Sequence, residues 1–318
     1  MQSQLTESQK KLLEKQQYRI VGNHSAVKLC GWTKNKIGGK GACYKEKFYG
    51  IKSHQCLQMT SSMFCANRCK FCWRGLKAPV SKQWYGNIDE PKFIVEEAIK
   101  KHVKLLQGFK GYKKANKKFV SEMENIKHVA LSLTGEAISY PKINNLLEEF
   151  HKRKITTFLV TNGQYPEQIE KIKNITQLYI SLDAPNKEKL KEIGRPLFED
   201  YWERLLNSLE IMKKKKFRTA IRLTLIKDEN MEGVENYAKL INLGKPDFVE
   251  IKSYMWVGES QRNYTVENMP WMEDIRGFSN LLLEFLPDYE LGDEHKGSRV
   301  VLLVKKGSKR EIDFRQML

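Results

Sequence analysis

The sequence predicts an α/β protein built on a partial, TIM-like (β/α)6 barrel. Helical and strand patterns alternate about six times between residues 57 and 285, which is typical of parallel strands joined by right-handed crossovers. Six units are too few to close an eight-stranded barrel. All six cysteines lie in the first 72 of 318 residues, at the start of this region. We therefore expect a cysteine-bearing N-terminal extension over residues 1–56, the barrel over 57–285 and a C-terminal extension over 286–318.

The first half of the barrel is predicted from short apolar or β-branched runs, each followed by an amphipathic segment. Prolines at 91, 141 and 166 stand where helices begin, a position that tolerates the missing N–H group. The expected strands are Leu57–Met63, His128–Leu133 and Ile155–Val160, and the expected helices are Pro91–Gln107, Lys142–His151 and Pro166–Lys173.

The second half continues the same alternation. Its expected strands are Leu178–Leu182, Arg218–Ile226 and Phe248–Tyr254, and its expected helices lie within Lys187–Ile193, Tyr201–Lys215, Met231–Leu243 and Trp271–Phe285. In the N-terminal extension, Glu7–Gln17 reads as a helix. In the C-terminal extension, Arg299–Lys305 and Arg310–Phe314 flank Gly307-Ser308 and predict a small hairpin.

Composition excludes a membrane protein. No apolar stretch approaches the roughly 20 residues that cross a bilayer, because Lys or Arg interrupts nearly every segment. The polar start of the chain, Met1–Gln17, lacks an apolar signal segment. We expect a monomeric, cytoplasmic protein that has no membrane partner.

The chain is strongly basic, with a net charge of +18 from 56 basic and 38 acidic residues. An excess of this size indicates a polyanionic partner, although a lysine-rich proteome or adaptation to heat would also produce it. In the segment Lys100–Lys118, eight lysines alternate with Phe109 and Tyr112, and Phe119 follows. Cations interleaved with aromatic rings suit RNA. A second run, Lys213–Lys216, is more simply a solvated helix end.

The most informative motif is the loop Cys65–Cys72, whose three cysteines, Cys65, Cys69 and Cys72, are spaced C-x3-C-x2-C. A disulfide framework does not suit a cytoplasmic chain. Structural zinc usually takes four ligands from paired knuckles, and ferredoxin runs supply a fourth cysteine. Three thiolates suit three corners of a cubane 4Fe-4S cluster and leave the fourth iron open to a small molecule.

This loop, with Phe71 before the third cysteine, resembles the signature of the radical S-adenosylmethionine (SAM) superfamily. The resemblance implies the same partial barrel fold. It also implies that the open iron chelates the amino and carboxylate groups of SAM. One-electron reduction then cleaves SAM to a 5′-deoxyadenosyl radical, which abstracts hydrogen from the substrate.

Ligands of parallel α/β proteins bind at the carboxyl ends of the strands, so residues following each predicted strand are candidates for SAM binding. The segment Thr134-Gly135-Glu136 resembles the superfamily's glycine-glycine-glutamate motif, which holds the SAM amino group, with Thr134 in place of the first glycine. Polar groups that could bind the ribose or the SAM carboxylate follow or lie on the next three strands: Asn162, Ser181, Asp183 and Arg222. Each segment alone is an ordinary turn sequence. The evidence for SAM binding comes from the order in which these segments follow the cysteine loop.

A narrower resemblance covers nearly the whole chain. The runs Cys65–Arg74, Ser132–Glu136 and Glu250–Gly258 are similar to those of the 4-demethylwyosine synthases. This resemblance implies an enzyme that acts on tRNA-Phe carrying N1-methylguanosine beside the anticodon. Hydrogen abstraction from the N1-methyl group is followed by condensation with two carbons of pyruvate. Because Cys30 begins the cluster region, we expect no flavodoxin domain. We therefore expect an archaeal-type enzyme that uses an external one-electron reductant.

The remaining cysteines, Cys30, Cys43 and Cys56, are spaced C-x12-C-x12-C. They are either buried free thiols or, as the family resemblance implies, ligands of a second 4Fe-4S cluster. The resemblance also matches Lys45, two residues after Cys43, to a lysine proposed to form a Schiff base with pyruvate. A neutral, poorly solvated lysine could attack a carbonyl, but Lys45 could equally be one surface lysine among many. Direct chelation of pyruvate by the second cluster is the competing mechanism.

Two other functions remain compatible with parts of the sequence. A radical SAM enzyme that activates another protein by forming a glycyl radical shares the C-x3-C-x2-C loop but has no need of the basic charge. A zinc-containing RNA-binding protein explains the charge but leaves the ordered motifs at the barrel mouth without a role.

Overall fold

A computed structural model of the chain describes residues 3–74 and 78–314. Residues 1–2 and 315–318 of the two expected extensions lie outside this description. The N-terminal part forms five short elements: α1 (Glu7–Lys15), β1 (Arg19–Val21), β2 (Ser25–Val27), α2 (Gly31–Ile37) and α3 (Tyr44–Tyr49). The predicted first helix is confirmed, and a capping box between Thr6 and Gln9 fixes its start. The two strands and the helices α2 and α3 were not predicted, since none exceeds seven residues.

Six parallel strands form the barrel, as the sequence predicts. They are β3 (Cys56–Thr60), β4 (His128–Leu131), β5 (Thr156–Thr161), β6 (Gln177–Ser181), β7 (Arg218–Leu225) and β8 (Phe248–Ser253). Each strand pairs in parallel with the next one along the chain. The helices packed around them are α4 (Pro91–Leu106), α5 (Lys117–Glu122), α6 (Ile143–Lys152), α7 (Pro166–Lys171), α8 (Lys187–Gly194), α9 (Tyr201–Lys213), α10 (Val234–Gly244) and α11 (Met272–Glu284).

Antiparallel strands extend the sheet at both edges. The pair β1–β2 joins β3 on one side. On the other side, β10 (Val300–Lys305) pairs with β8, and β9 (Tyr289–His295) pairs with β10. The complete order is β1-β2-β3-β4-β5-β6-β7-β8-β10-β9. Within the described residues, no helix is long and apolar enough to cross a membrane.

The C-terminal hairpin exists, but one of its predicted strands is wrong. The strand at Arg299–Lys305 is confirmed, and its hairpin partner is the preceding segment β9, whereas Arg310–Phe314 is irregular. Arg310 is held by hydrogen bonds to the Gly292 carbonyl and the Asp293 carboxylate. The Ile312 N–H donates to the Tyr49 carbonyl, so this segment turns under the barrel instead of pairing with β10.

The start of α10 also differs from the prediction. The helix was expected from Met231 and begins at Val234. The Asn230 side chain accepts from the Ile226 N–H (2.6 Å) and donates to the Asp183 and Thr224 carbonyls, which fixes a turn. Gly233 follows with φ +70°, a left-handed conformation that a helix cannot include.

The two faces of the parallel strands are buried differently. Outward side chains such as Leu159, Leu178 and Ile221 pack against the helices in the main apolar core. On the inner face, Phe158, Tyr179 and Phe248 pack against Tyr44, Phe48 and Tyr49 of α3 in a second cluster. Helix α3 therefore fills the lower part of the barrel interior. The upper part, toward the carboxyl ends of the strands, is left to polar residues.

Candidate active site

A cavity of about 350 Å³ opens at the carboxyl ends of the parallel strands. It brings together every residue that the sequence predicted at the barrel mouth. These residues are Cys65, Cys69, Phe71, Cys72, Thr134, Gly135, Glu136, Asn162, Ser181, Asp183 and Arg222. The other four predicted site residues, Cys30, Cys43, Lys45 and Cys56, do not line this cavity. The candidate site therefore has two parts.

The cysteine loop is held by backbone hydrogen bonds to the end of α8. The Arg68 N–H donates to the Gly194 carbonyl, and the Lys70 N–H donates to the Ile193 carbonyl (2.8 Å). The Cys72 N–H donates to the Cys69 carbonyl, which tightens the turn that carries both cysteines. These contacts fix the loop without using its sulfur atoms.

Three nitrogen donors point instead at the sulfur atoms of the loop. The Asn67 backbone N–H and the Asn162 side-chain amide each lie 3.4 Å from Cys65 Sγ. Arg74 Nε lies 3.4 Å from Cys72 Sγ, and its Nη1 donates to the Met63 carbonyl. Donors directed at sulfur stabilise the thiolate form, which is the form that binds iron.

Burial opposes that ionisation in the free thiols. It raises the pKa of Cys65 to about 11 and that of Cys69 well above its ordinary value, and the neighbouring thiols raise the pKa of Cys69 further. No group of three or more His, Cys, Asp or Glu residues in the described part of the chain could hold a single metal ion. A cubane separates its ligands more widely, because each sulfur binds a different iron. Three thiols around one cavity, with donors aimed at two of them, fit such a cluster.

The segment Thr134-Gly135-Glu136 passes next to the start of the cysteine loop. Gly135 has φ +64°, and a Cβ atom there would lie 2.0 Å from the Ser62 carbonyl oxygen. The group that requires a glycine here is therefore the protein's own backbone. The Glu136 N–H donates to the Phe64 carbonyl (2.7 Å), which couples this segment to Cys65.

Glu136 supplies a buried acceptor to the cavity. Its Oε2 accepts from the Asn162 N–H (3.2 Å), while its Oε1 is buried with no hydrogen-bond partner among the described residues. Burial raises the pKa of this carboxyl group to about 7, against the hydrogen bonds from Thr161 and Asn162, which lower it. A cationic ligand group would satisfy Oε1 and favour the ionised form.

The remaining mouth residues are partly engaged with the protein. Asn162 donates to Cys65 Sγ and accepts from the Gln164 N–H. Asp183 Oδ1 accepts from the Thr224 N–H (3.0 Å), and burial raises the pKa of Asp183 to about 6. Arg222 is directed into the barrel, where Tyr44 and Glu250 are its main electrostatic partners.

The other three cysteines approach one another beneath this cavity. Cys30 precedes α2, Cys43 precedes α3, and Cys56 begins β3. The Cys43 N–H donates to Ser53 Oγ (3.0 Å). Burial raises the pKa of Cys43 to about 12, and the charge of Cys30 adds to this increase. Cys30 and Cys43 also raise the pKa of Cys56, so the three sulfur atoms lie within electrostatic reach of one another.

Lys45 points from the first turn of α3 into the barrel interior. It is only 8% exposed, which is unusual for a lysine. Its Nζ lies 4.4 Å from the ring centroid of Tyr179 and 5.2 Å from that of Phe158. Burial lowers the pKa of Lys45, and the nearby Glu250 partly opposes this shift. This is a buried lysine, not a surface lysine.

Sequence reasoning missed the charged residues between the two parts of the site. Glu250 is fully buried, and its two oxygens accept from the Tyr44 and Tyr49 hydroxyls, both at 2.8 Å. Lys252, two residues further along the inner face of β8, lines the cavity. Both belong to the run Glu250–Gly258, where two charged residues alternating within an apolar strand were the available signal.

The predicted basic and aromatic segment does not border the cavity. Helix α4 runs from the carboxyl ends of the strands back to their amino ends, so Lys100–Lys118 lies largely at the opposite end of the barrel. There Phe109, Lys110, Tyr112 and Lys113 line a separate open depression. The segment that we predict to contact RNA therefore lies away from the barrel mouth.

Comparison with known proteins assigns the class of the chain. Residues 59–241 match the profile of the Radical SAM superfamily, and residues 243–305 match the profile described as Wyosine base formation. The first match covers more than half of the chain. The protein therefore belongs to the radical SAM superfamily, whose members use SAM and a 4Fe-4S cluster.

Individual relatives narrow the assignment. The chain is 48% identical over 299 residues to the S-adenosyl-L-methionine-dependent tRNA 4-demethylwyosine synthase of Pyrococcus abyssi, covering 92% of this chain and 87% of that protein. It is 49% identical over 295 residues to the enzyme of the same name from Oryza sativa subsp. japonica, covering 92% of this chain and 45% of that protein. The chain belongs to this family of tRNA 4-demethylwyosine synthases. It spans less than half the length of its plant and animal relatives.

Solved structures agree with this family. TYW1 with a lysine-pyruvate adduct bound matches with a TM-score of 0.86 and 38% identity, covering 98% of this chain and 99% of that one. Archaeal TYW1 matches with a TM-score of 0.79 and 35% identity, covering 97% of this chain and 100% of that one. Both the fold and the family predicted from the sequence are confirmed.

Proposed function

We propose that the protein is a radical SAM enzyme that converts N1-methylguanosine in tRNA-Phe to 4-demethylwyosine, with pyruvate as the two-carbon donor. The observation that carries this proposal is the cavity in which Cys65, Cys69 and Cys72 face Glu136. Family membership supports the same reaction. The rival functions, glycyl radical formation on another protein and zinc-dependent RNA binding, find no support in the comparisons.

Cys65, Cys69 and Cys72 would hold a 4Fe-4S cluster, with one iron left to SAM. When bound, the cluster and SAM together supply a 5′-deoxyadenosyl radical that abstracts hydrogen from the substrate. The protein's part is to hold the thiolates, exclude water and position the reacting groups. The amides of Asn67 and Asn162 and the guanidinium of Arg74 would stabilise the sulfur charges.

Glu136 would bind the SAM ammonium group through its unpartnered Oε1. Thr134 and Gly135 place this carboxylate, and Phe71 covers one side of the cavity. Ser181 and Asp183 would contact the ribose, since Ser181 ends β6, Asp183 follows it, and both line the cavity. Asn162 and Arg222 also line this space, although their contacts with Cys65 and with Tyr44 make their roles partly structural.

Cys30, Cys43 and Cys56 would hold a second 4Fe-4S cluster. Three cysteines brought together from separate elements beside a buried lysine support this assignment over unrelated buried thiols. Lys45 would attack the C2 carbonyl of pyruvate, forming a C=N bond and releasing water. The lysine-pyruvate adduct bound in a relative with the same fold supports the imine over direct chelation of pyruvate.

The partners follow from charge and chemistry. A net charge of +18 suits a tRNA, whose phosphates attract Lys and Arg by counterion release. An external one-electron reductant would supply the electron for SAM cleavage. We place the enzyme in the cytoplasm as a monomer. Residues 1–56 would form the unit that carries the second cluster, 57–285 the barrel, and 286–318 the C-terminal extension.

The experiment that tests the function is mass spectrometry of nucleosides from tRNA-Phe incubated anaerobically with SAM, pyruvate, dithionite and reconstituted protein. We expect 4-demethylwyosine to appear at the expense of N1-methylguanosine. Cys65→Ser should abolish both SAM cleavage and product, and unmethylated tRNA should give none. Cleavage of SAM with the N1-methylguanosine left intact would overturn the tRNA assignment.

Iron content tests the second cluster. Fully reconstituted protein should contain about eight irons per chain, and Cys43→Ser should lower this number to about four, because each cubane holds four irons. The electron paramagnetic resonance signal of the remaining reduced cluster should still respond to SAM. About four irons in the unmodified protein would remove the second cluster.

Borohydride trapping tests the role of Lys45. Reduction in the presence of labelled pyruvate should attach one label to the chain, and Lys45→Ala should abolish this attachment. Lys47→Ala is the matched control, because Lys47 lies one half-turn further along α3 but is exposed and paired with Asp293 at 2.8 Å. A label that survives Lys45→Ala would favour chelation of pyruvate by the cluster.

A further inference from the structure

Lys252 is a half-buried cation that the proposed chemistry does not use. It lies on the inner face of β8, where Thr224 is its partner on β7. It lines the mouth cavity, and Cys43 in the second group of cysteines is one of its electrostatic neighbours. It therefore lies between the cavity and the region of Lys45.

The Lys252 ammonium group lacks a carboxylate partner among the described residues. Its one hydrogen-bond acceptor in this part of the chain is the Ser298 carbonyl, at 2.8 Å. An ammonium group has three donors, so at least two remain available to a ligand. The Ser298 contact holds the side chain in one orientation.

The surrounding charge is unbalanced toward positive. Three cations, Lys45, Arg222 and Lys252, lie near two carboxylates, the fully buried Glu250 and Asp183, which is an electrostatic neighbour of Arg222. Both oxygens of Glu250 already accept tyrosine hydroxyls. Arg222 has Tyr44, Glu250 and Asp183 as electrostatic neighbours. Lys252 has Glu250 as an electrostatic neighbour, but within the described residues it hydrogen-bonds only to a carbonyl. Partial desolvation of an ammonium group that forms no ion pair is costly, so an anionic ligand would be favoured here.

We propose that Lys252 binds the carboxylate of the 2-oxo acid whose carbonyl reacts with Lys45, and that it thereby selects an acid over a neutral carbonyl compound. This inference rests on the proposed function, because it requires that pyruvate forms an imine on Lys45. The carboxylate of pyruvate is one bond from the reacting carbon. Lys45 and Lys252 suit such a ligand, because the hydroxyl of Tyr44, the residue before Lys45, donates to Glu250, which lies two residues before Lys252 on the inner face of β8.

Charge-selective trapping on the reconstituted holoenzyme tests this assignment. Borohydride-trapped adduct on Lys45 is measured by peptide mass spectrometry across a range of pyruvate concentrations, and then across a range of methyl pyruvate, its neutral ester. Lys252→Met should raise the half-saturating pyruvate concentration about 10- to 100-fold, as expected for one lost charge-assisted hydrogen bond. The value for methyl pyruvate should not change.

Two further variants complete the test. Lys252→Arg keeps the charge and should restore most of the pyruvate affinity. Lys101→Met is the matched control, because Lys101 also donates to a backbone carbonyl, that of Ile20, but lies on α4 outside the barrel. Lys101→Met should leave both half-saturation values unchanged.

The outcomes separate the proposals. If both ligands weaken equally in Lys252→Met, the substitution disturbs the carbonyl site and the inference is wrong. The same holds if neither ligand weakens, or if only SAM binding falls, which would assign Lys252 to the SAM carboxylate. Absence of any adduct in the unmodified protein would instead refute the imine itself.

Discussion

Replacing Gly135 by alanine should destabilise the protein far more than the addition of one methyl group suggests. At φ +64° an alanine costs about 1–2 kcal/mol, because its Cβ crowds its own backbone. The new Cβ would also lie 2.0 Å from the Ser62 carbonyl oxygen and 2.9 Å from the Met63 carbonyl carbon. These are backbone atoms, so relief requires movement of the chain, at a further cost of about 1–3 kcal/mol. We expect a total loss of about 2–5 kcal/mol.

Gly307 provides the matched control. Its φ is +85°, but a Cβ there would meet no atom within 4 Å. Gly307→Ala should therefore lose only the free energy that a left-handed backbone conformation costs an alanine. Urea unfolding of the cluster-free protein, followed by tryptophan fluorescence, measures both losses. A Gly135→Ala protein as stable as Gly307→Ala, within about 0.5 kcal/mol, would show that the approach to Ser62 relaxes freely.

The same substitution should also impair the site. Ser62 lies three residues before Cys65, and Glu136 follows Gly135 directly. Movement at Gly135 therefore displaces the proposed cluster ligand Cys65 and the proposed ammonium acceptor together. Gly135→Ala should lower iron incorporation and weaken SAM binding, whereas Gly307→Ala should change neither. Normal iron content together with normal SAM binding would contradict this coupling.

Two further predictions concern other parts of the molecule. His102 is buried on α4 with no partner for either ring nitrogen in the described residues, and burial lowers its pKa to about 4. The unfolded chain binds a proton at His102 below pH 6.5, whereas the folded chain does not until about pH 4. The protein should therefore lose about 3 kcal/mol of its free energy of unfolding between pH 6.5 and 4. The variant His102→Leu should not show this loss when both are measured by urea unfolding at each pH. Replacing Lys113 and Lys114 by alanine should lower the salt dependence of full-length tRNA binding by up to about 0.9 per lost phosphate contact. Binding of an isolated anticodon stem-loop, measured alongside, should not change, since these lysines lie away from the cavity; equal losses for both RNAs would place the segment beside the anticodon.

The barrel could be predicted from sequence because its strands are long and apolar enough to show a pattern. The terminal parts could not, since β1 and β2 contain only three residues each. The edge strand β9 was missed for another reason. Its sequence, Tyr289–His295, carries charged residues, and only Tyr289 is buried, as is usual for an edge strand that must not aggregate. Its pairing with β10 depends on tertiary contacts, which the local sequence pattern does not indicate.

The mouth of the site could be predicted because strand ends converge in any parallel barrel. Its interior could not. Glu250 and Lys252 occupy alternate positions of a strand, a pattern that normally indicates a solvent-facing side. Here that side faces the inside of the barrel, where Tyr44 and Tyr49 from a distant segment satisfy the carboxylate. The partner of a buried charge lies about 200 residues away, so local sequence does not reveal it.

The N-terminal segment explains why both groups of cysteines share one interior. A barrel of six parallel strands leaves space on its inner face that its own side chains do not fill. Helix α3 fills the lower part, and its rings pack on Phe158, Tyr179 and Phe248. Cys43 and Lys45 lie at the start of that helix, so the packing that stabilises the barrel also carries them inside. The same helix therefore fills the barrel and positions the proposed cluster ligand Cys43 and the proposed imine-forming Lys45. A substitution that loosens α3, such as Phe48→Ala, would affect both the packing and the position of these two residues.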